Sequence, residues 1–299
     1  MSRLCLSAPT TVYFNPAGSD TLGDGSIGNP WQTPQGAWNN LFAGFDLCGF
    51  PLTIQAGATG PGQTLYGGLN ISGRLPGQAG SLGQGVVGGG FPPQTWGQYA
   101  PVTLRGNPAA PLNAFLYPPL NPSAILSALS MTEGACLALT GFSLDSGVGL
   151  GDCIQLFNGA SLDISEVLFG AAGQAVPAAN HVSLAFGAHL RISGPYQING
   201  GGQCHWDCSD GSTIYANTNG VSPIAITILN AASALFNTAF AYCDGGKIDA
   251  YGLTFSGPTT GHSVLPVNGG VIWTNGAKNI PGSLGAAPTP ANFAPGFYY

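Results

Sequence analysis

The chain has 299 residues, a formal net charge of −6 and only 6% charged residues, where an ordinary globular domain carries about a quarter. Six Lys and Arg stand against twelve Asp and Glu, too few cations to displace counterions from phosphates, which argues against nucleic acid and against a charge-held anionic membrane surface as partners. With 48 Gly and 24 Pro the chain borders on low complexity, yet 44% of it is hydrophobic, enough apolar surface to build a core and to exclude a disordered tail.

In chain order, the first six residues hold too short an apolar run for a secretory signal, and no stretch of 18 or more apolar residues offers a membrane span. The seven cysteines cannot all pair within the chain, and free, buried thiols of a protein made in a reducing cytosol are the expectation. Residues 33–45 form the best helix, with Pro34 in its first turn and Trp38, Leu41 and Phe42 on one side. Such a helix would cover the open end of a stack of strands. Residues 51–56, 68–72 and 101–105 read as strands of early, irregular coils. Residues 73–100, rich in Gly, Gln and Pro, read as a long projecting loop.

From Gly134 onward the chain repeats. Gly134, Gly159, Gly187, Gly211, Gly245 and Gly269 are spaced 25, 28, 24, 34 and 24 residues apart. Each is followed by a small residue. Three positions on stands Leu or Ile, and in four of six cases Asn or Asp precedes the glycine. Asx-Gly is a turn signal because both residues tolerate positive φ. The alternation after it is a strand with one buried face. A second strand precedes it: five residues before the glycines stand Leu129, Ile154, Val182, Trp206, Phe240 and Val264, and three before stand Met131, Leu156, Leu184, Cys208, Tyr242 and Pro266. Each unit is therefore strand, sharp corner, strand, then a loop of variable length. Units of this size cannot bury their apolar face alone and must stack, which predicts a parallel β-helix with rungs about 4.8 Å apart. The 34-residue interval reads as one coil with an extra turn, Ala232 marking a different corner. The predicted organisation is an N-terminal strand and capping helix over 1–50, the β-helix over 51–276 and an extended tail over 277–299. The aromatic end of that tail is expected to dock on its own helix or on a neighbouring subunit.

The opening Tyr13-Phe14-Asn15-Pro16-Ala17-Gly18-Ser19-Asp20 with Gly23-Asp24-Gly25 and Pro30-Trp31-Gln32-Thr33 resembles that of right-handed β-helix proteins of the pectate-lyase-like superfamily. The closing Asn268-Gly269-Gly270-Val271-Ile272-Trp273-Thr274-Asn275-Gly276 resembles the end of phage and prophage β-helix proteins such as tail spikes and tail fibres. The resemblance spans the chain loosely. It implies a right-handed coil and a homotrimer on a virion or phage-derived particle, in contact with other virion proteins. It is specific for fold and weak for function.

Three constellations could carry chemistry. Cys153, His181 and His205 stand six residues before successive corner glycines, and Gln155, Ser183 and Asp207 stand four before. That register predicts His181, His205 and Asp207 on one exposed patch, capable of acid–base work. The plainer reading is a polar stripe facing solvent or a sister subunit. In Cys204-His205-Trp206-Asp207-Cys208, alternation sends the cysteines and Trp206 to the core, as buried thiols, with His205 and Asp207 outward. No metal and no other cofactor is expected. A polysaccharide hydrolase needs paired carboxylates. The close pairs are Asp163 with Glu166 and Asp207 with Asp210, but Asp163 should pair with Arg191 on the next rung, and Asp210, Asp244 and Glu133 suit turns. The Gly-rich run 87–91 lacks the Lys and the Ser or Thr of a phosphate loop. Tyr215, Tyr251 and Trp273, outward in this register, could stack on sugars.

The reading is thus an all-β, right-handed parallel β-helix, a structural virion component of a phage or phage-like particle. It would be a trimeric spike or fibre that binds host surface polysaccharide, without insertion into a membrane. A polysaccharide depolymerase, hydrolase or lyase, on the same scaffold is the alternative, and a bacterial surface adhesin is the second.

Overall fold

The computed structural model describes residues 3–57, 64–78, 102–107, 109–117, 127–145, 151–170, 179–216, 223–229, 235–257, 259–274, 280–281 and 297–298. They form a parallel β-helix with three sides. One sheet has ten strands, a second seven and a third eight, and every strand pair in them is parallel. One coil shows the plan. Cys136–Thr140 lies in the ten-stranded sheet, Ser143–Leu144 in the seven-stranded sheet and Ile154–Leu156 in the eight-stranded sheet. The chain then turns at Asn158-Gly159 and re-enters the ten-stranded sheet as Ser161–Ser165, paired with Cys136–Thr140. A right-handed coil is the hand that twisted strands with parallel crossovers adopt.

The repeat predicted two strands per unit, and the structure adds a third. The seven-stranded sheet is built from segments such as Leu168–Phe169, Tyr196–Ile198 and Ile224–Ile228, most too short for a period of two to register against the loops around them.

The corners have the expected backbone. Glu133, Asn158, Phe186, Asp210 and Asn268 have φ between 47° and 57°, each followed by a glycine at φ between 71° and 80°. Asp244-Gly245 differs. Cys243 and Lys247 are four residues apart, whereas Cys208 and Thr213, paired with them in register, are five apart. This corner is one residue shorter, so the expected ladder slips on that coil. Ala241 and Cys243, not Phe240 and Tyr242, pair with Trp206 and Cys208. The extra corner expected at Ala232 lies outside the described residues.

Inside, like residues stack. Leu137, Leu162, Leu190, Ile214, Ile248 and Ile272 form one ladder on the inner face of the ten-stranded sheet, each buried. Burying each such side chain is worth about 1.5–3 kcal/mol, and no rung has that without its neighbours, which is why the coils stabilise one another.

The helix Pro34–Gly44 caps the first coil. Thr33 is its N-cap, accepting from the Gly36 N–H. Asp20 holds that cap in place, its carboxylate accepting from the N–H groups of Gln32 and Thr33 and from the Thr33 hydroxyl. Gly36 is required there, because a Cβ would meet the Asp20 carboxyl at 2.0 Å. Trp38 and Leu41 face the core, but Phe42 does not, being 43% exposed. The early strands are Leu52–Ala56, Leu69–Ser72 and Val102–Arg105. Of the projecting loop only 73–78 is described, with Gln78 buried and its amide donating to the Cys136 carbonyl.

Two cysteines depart from the expectation of free thiols. Leu4–Cys5 pairs with Phe45–Asp46, which brings Cys5 and Cys48 to a Cα separation of 5.7 Å, and they form a disulfide. Cys136, Cys153, Cys204, Cys208 and Cys243 are buried thiols outside any disulfide, as expected. The tail ends on its own coil: Phe297–Tyr298 pairs with Val271–Trp273 as the last strand of the ten-stranded sheet.

Candidate functional site

The expected His181, His205 and Asp207 patch does not form, although their register does. Val182 pairs with Trp206, and Ser183 with Asp207. His181 and His205, one residue earlier, are both 0% exposed. Their Nδ1 atoms are 2.8 Å apart, and the Tyr196 hydroxyl is 2.6 Å from His205 Nε2. Phe169 stacks on His181, and Phe240 lies 4.7 Å from His205, centroid to centroid. An Nδ1–Nδ1 hydrogen bond needs one N–H and one bare lone pair, so the accepting imidazole is neutral. Burial drives both pKa values down, that of His181 to about 3 and that of His205 well below its usual range, with His181 adding to the effect there. The Gly170 and Gly201 backbone opposes this at His181, but neither completes a hydrogen bond with its Nε2.

Alternation misplaced them for a local reason. His205 and Trp206 are consecutive and both fully buried. The strand Gly202–Ser209 is irregular just before them, its register against Leu235–Asp244 shifting between Gly202 and Cys204, and both rings pack against Phe240. Cys204 is displaced toward the polar side: its thiol pKa is raised by burial and then by Asp207 and Asp152.

Asp207 instead belongs to a cluster whose members stand at fixed offsets in the repeat. Asp152, Asn180 and Cys204 stand seven residues before Gly159, Gly187 and Gly211. The Asn180 backbone N–H donates to Asp152 Oδ1 at 2.6 Å, its side-chain amide donates to Asp207 Oδ2 at 3.0 Å, and its Oδ1 accepts from the Cys204 N–H. Gln155 donates to the other Asp152 oxygen. Burial, then Asp152 and Asp244, push Asp207 up to about 6. Burial also raises Asp152, against the hydrogen bonds from Asn180 and Gln155. Tyr242, in register with Asp207, is pushed up to about 12 by burial and then by Asp244 and Asp207.

The other carboxylate pairs separate. Asp163 and Arg191 are in register and form the expected ion pair, both buried on the outer face of the ten-stranded sheet. Glu166 sits at a corner with φ 53°, accepting from the Thr140 hydroxyl at 3.1 Å. Asp210 is a corner residue, close enough to Asp207 only to add the smallest contribution to its raised pKa. No group of three or more His, Cys, Asp or Glu suited to a metal ion occurs among the described residues.

Of the three outward aromatic residues, two come together. Tyr251 and Trp273 are 52% and 41% exposed, their rings 6.3 Å apart and within 20° of parallel. They meet because Asp249 pairs with Trp273, and the chain turns at Tyr251, whose N–H donates to Asp249 Oδ1. Lys247 Nζ lies 5.4 Å from the Trp273 ring centre and 3.9 Å from Asp249 Oδ2. Burial raises the Asp249 pKa, while the Tyr251 N–H and Lys247 hold it down. Tyr215, between Arg191 and Asp249 on the same stripe, is half-buried and not part of the platform.

No protein-family model matches the chain, and no curated protein or solved structure is detectably similar to it.

Proposed function

We propose that this protein is a structural β-helix rod of a phage or phage-like particle, assembled as a homotrimer, that binds surface glycan through Tyr251 and Trp273. The observation that carries the glycan reading is the exposed, near-parallel pair of rings with a carboxylate and an ammonium beside it. Aromatic faces cover the C–H faces of a sugar ring, and Asp249 and Lys247 supply an acceptor and a donor for its hydroxyls. The particle setting rests on the resemblance of the opening and closing stretches, and a chain so poor in charge suits faces covered by sister subunits. The test is retention on immobilised bacterial surface polysaccharides, with the particle mass measured by light scattering. Trp273→Ala and Tyr251→Ala should each weaken retention about tenfold or more. Retention unchanged in both variants defeats the glycan site, and a monomer at all concentrations defeats the trimer.

One observation favours a second reading, depolymerisation. Asp207, raised to about 6 beside a second raised carboxyl, has the proton affinity of a general acid. On that reading Asp207→Asn abolishes release of oligosaccharides. An absence of turnover on polysaccharides that the rod retains leaves binding alone.

A further inference from the structure

Beside the capping helix runs a groove that none of the foregoing uses. It is a cavity of about 470 Å³ between the helix and Leu69–Ser72, lined by Gln35, Trp38, Asn39, Phe42, Asn70 and Ser72. That size falls within the range of small-ligand sites. Its lining holds no charged side chain but three carboxamides, a hydroxyl and two aromatic residues. We infer that this groove binds an uncharged saccharide.

The polar groups are positioned in advance. Gln35 bridges helix and strand, donating to Asn39 Oδ1 at 3.0 Å and accepting from the Asn70 N–H at 2.8 Å. With its Oδ1 engaged, Asn39 is left with its NH₂ as donor. Asn39, Asn70 and Ser72 are exposed. Phe42 is held at the mouth by Arg3, whose guanidinium lies 5.8 Å from the ring centre and whose Nε donates to the Phe42 carbonyl. A ring at the mouth with amides along the wall suits a sugar, which presents an apolar face and a hydroxyl edge.

Charge selects the class. Ser72 donates to Glu133 Oε2 at 2.7 Å on one side and the Arg3 guanidinium stands over Phe42 on the other, so the charges beside the groove offset each other and the lining itself offers no cation to an anionic sugar. The groove also opens onto an uncharged outer ladder of the eight-stranded sheet, Asn70, Ser130, Gln155 and Ser183, before Asp207 is reached. At about 4.8 Å per rung, that ladder gives a neutral chain room to extend.

The inference is independent of the Tyr251–Trp273 platform, which lies on another sheet at the far end of the coil. The test therefore uses the full chain carrying Tyr251→Ala and Trp273→Ala, titrated calorimetrically with maltotriose, cellotriose, chitotriose and trigalacturonate. At least one neutral trisaccharide should bind saturably, and trigalacturonate about tenfold more weakly or not at all. Phe42→Ala and Asn39→Asp, both at exposed positions, should each cost about tenfold in affinity. In the unmodified chain the side-chain amide NMR signals of Asn39 and Asn70 should shift with the same ligand. Absence of binding by all three neutral sugars overturns the inference. So does equal binding of trigalacturonate, or affinity and amide shifts that ignore the groove.

Discussion

His181 Nδ1 stands 2.8 Å from His205 Nδ1 inside the coil, with no solvent exposure at either ring. Of the described residues in ring contact with the pair, only Tyr196 is titratable, the rest being Phe169, Trp206, Phe236 and Phe240. Among the described residues no carboxylate offsets a positive charge on either ring. Protonating the accepting Nδ1 would also set two N–H groups against each other across the 2.8 Å contact. The pair belongs to the neutral state of the fold.

This relationship fixes the acid side of the stability profile. Both histidines are held below the ordinary value of 6.5, so the unfolded chain binds protons that the folded chain refuses. Their contribution is fully present above pH 6.5 and is lost as the pH falls toward 3. Each adds a slope of up to about 1.4 kcal/mol per pH unit. Denaturant unfolding between pH 7.5 and 4 should show this decline, and His181→Gln and His205→Gln should each flatten it. A slope unchanged in both variants would refute the assignment.

Asp207 works in the opposite direction. Its folded pKa is raised from 3.8 to about 6, so the folded chain holds the proton more tightly than the unfolded one. That contribution is present below pH 3.8 and is lost as the pH rises through 6. Asp207→Asn keeps an acceptor for the Asn180 amide and removes the buried charge. At pH 7.5 it should stabilise the protein, with an upper bound of about 3 kcal/mol, and the gain should vanish near pH 3.5. Thermal melts of the two proteins at the two pH values check this.

Phe186 occupies a corner position where Asn158, Asp210 and Asn268 stand on other coils. At φ 57° and 62% exposed, it accepts left-handed backbone strain with little burial in return, apart from a tilted contact with Phe157 at 6.4 Å. The strain costs about 1–2 kcal/mol, and Asn tolerates that region. Phe186→Asn should raise the denaturation midpoint by an amount equivalent to about 1 kcal/mol. An unchanged or lower midpoint means that the Phe157 contact outweighs the strain.

The amino-acid sequence alone determined the coil. Corner glycines with Asx before them, and Leu or Ile at fixed offsets after them, mark a unit that must stack. Adjacent rungs then follow by counting, which is how Asp163 was matched with Arg191 and Ser183 with Asp207. Counting works because each of those corners has the same length. Where Asp244-Gly245 is one residue shorter, Ala241 replaces Phe240 in the ladder, and nothing local in the sequence marks the change.

The tertiary structure decided which way side chains point at the corners and what they meet. Period-two alternation holds within a strand, but His205 and Trp206 turn inward together, because the chain bends there around an aromatic core supplied by Phe169, Phe236 and Phe240 from other coils. The Cys5–Cys48 disulfide, the Asn180 bridge between Asp152 and Asp207, and the meeting of Tyr251 with Trp273 have the same origin. Each joins residues 22 to 55 positions apart in the chain, brought together by the pitch of the coil or by the cap. Short-range patterning specifies a rung, and only the closed stack specifies its neighbours.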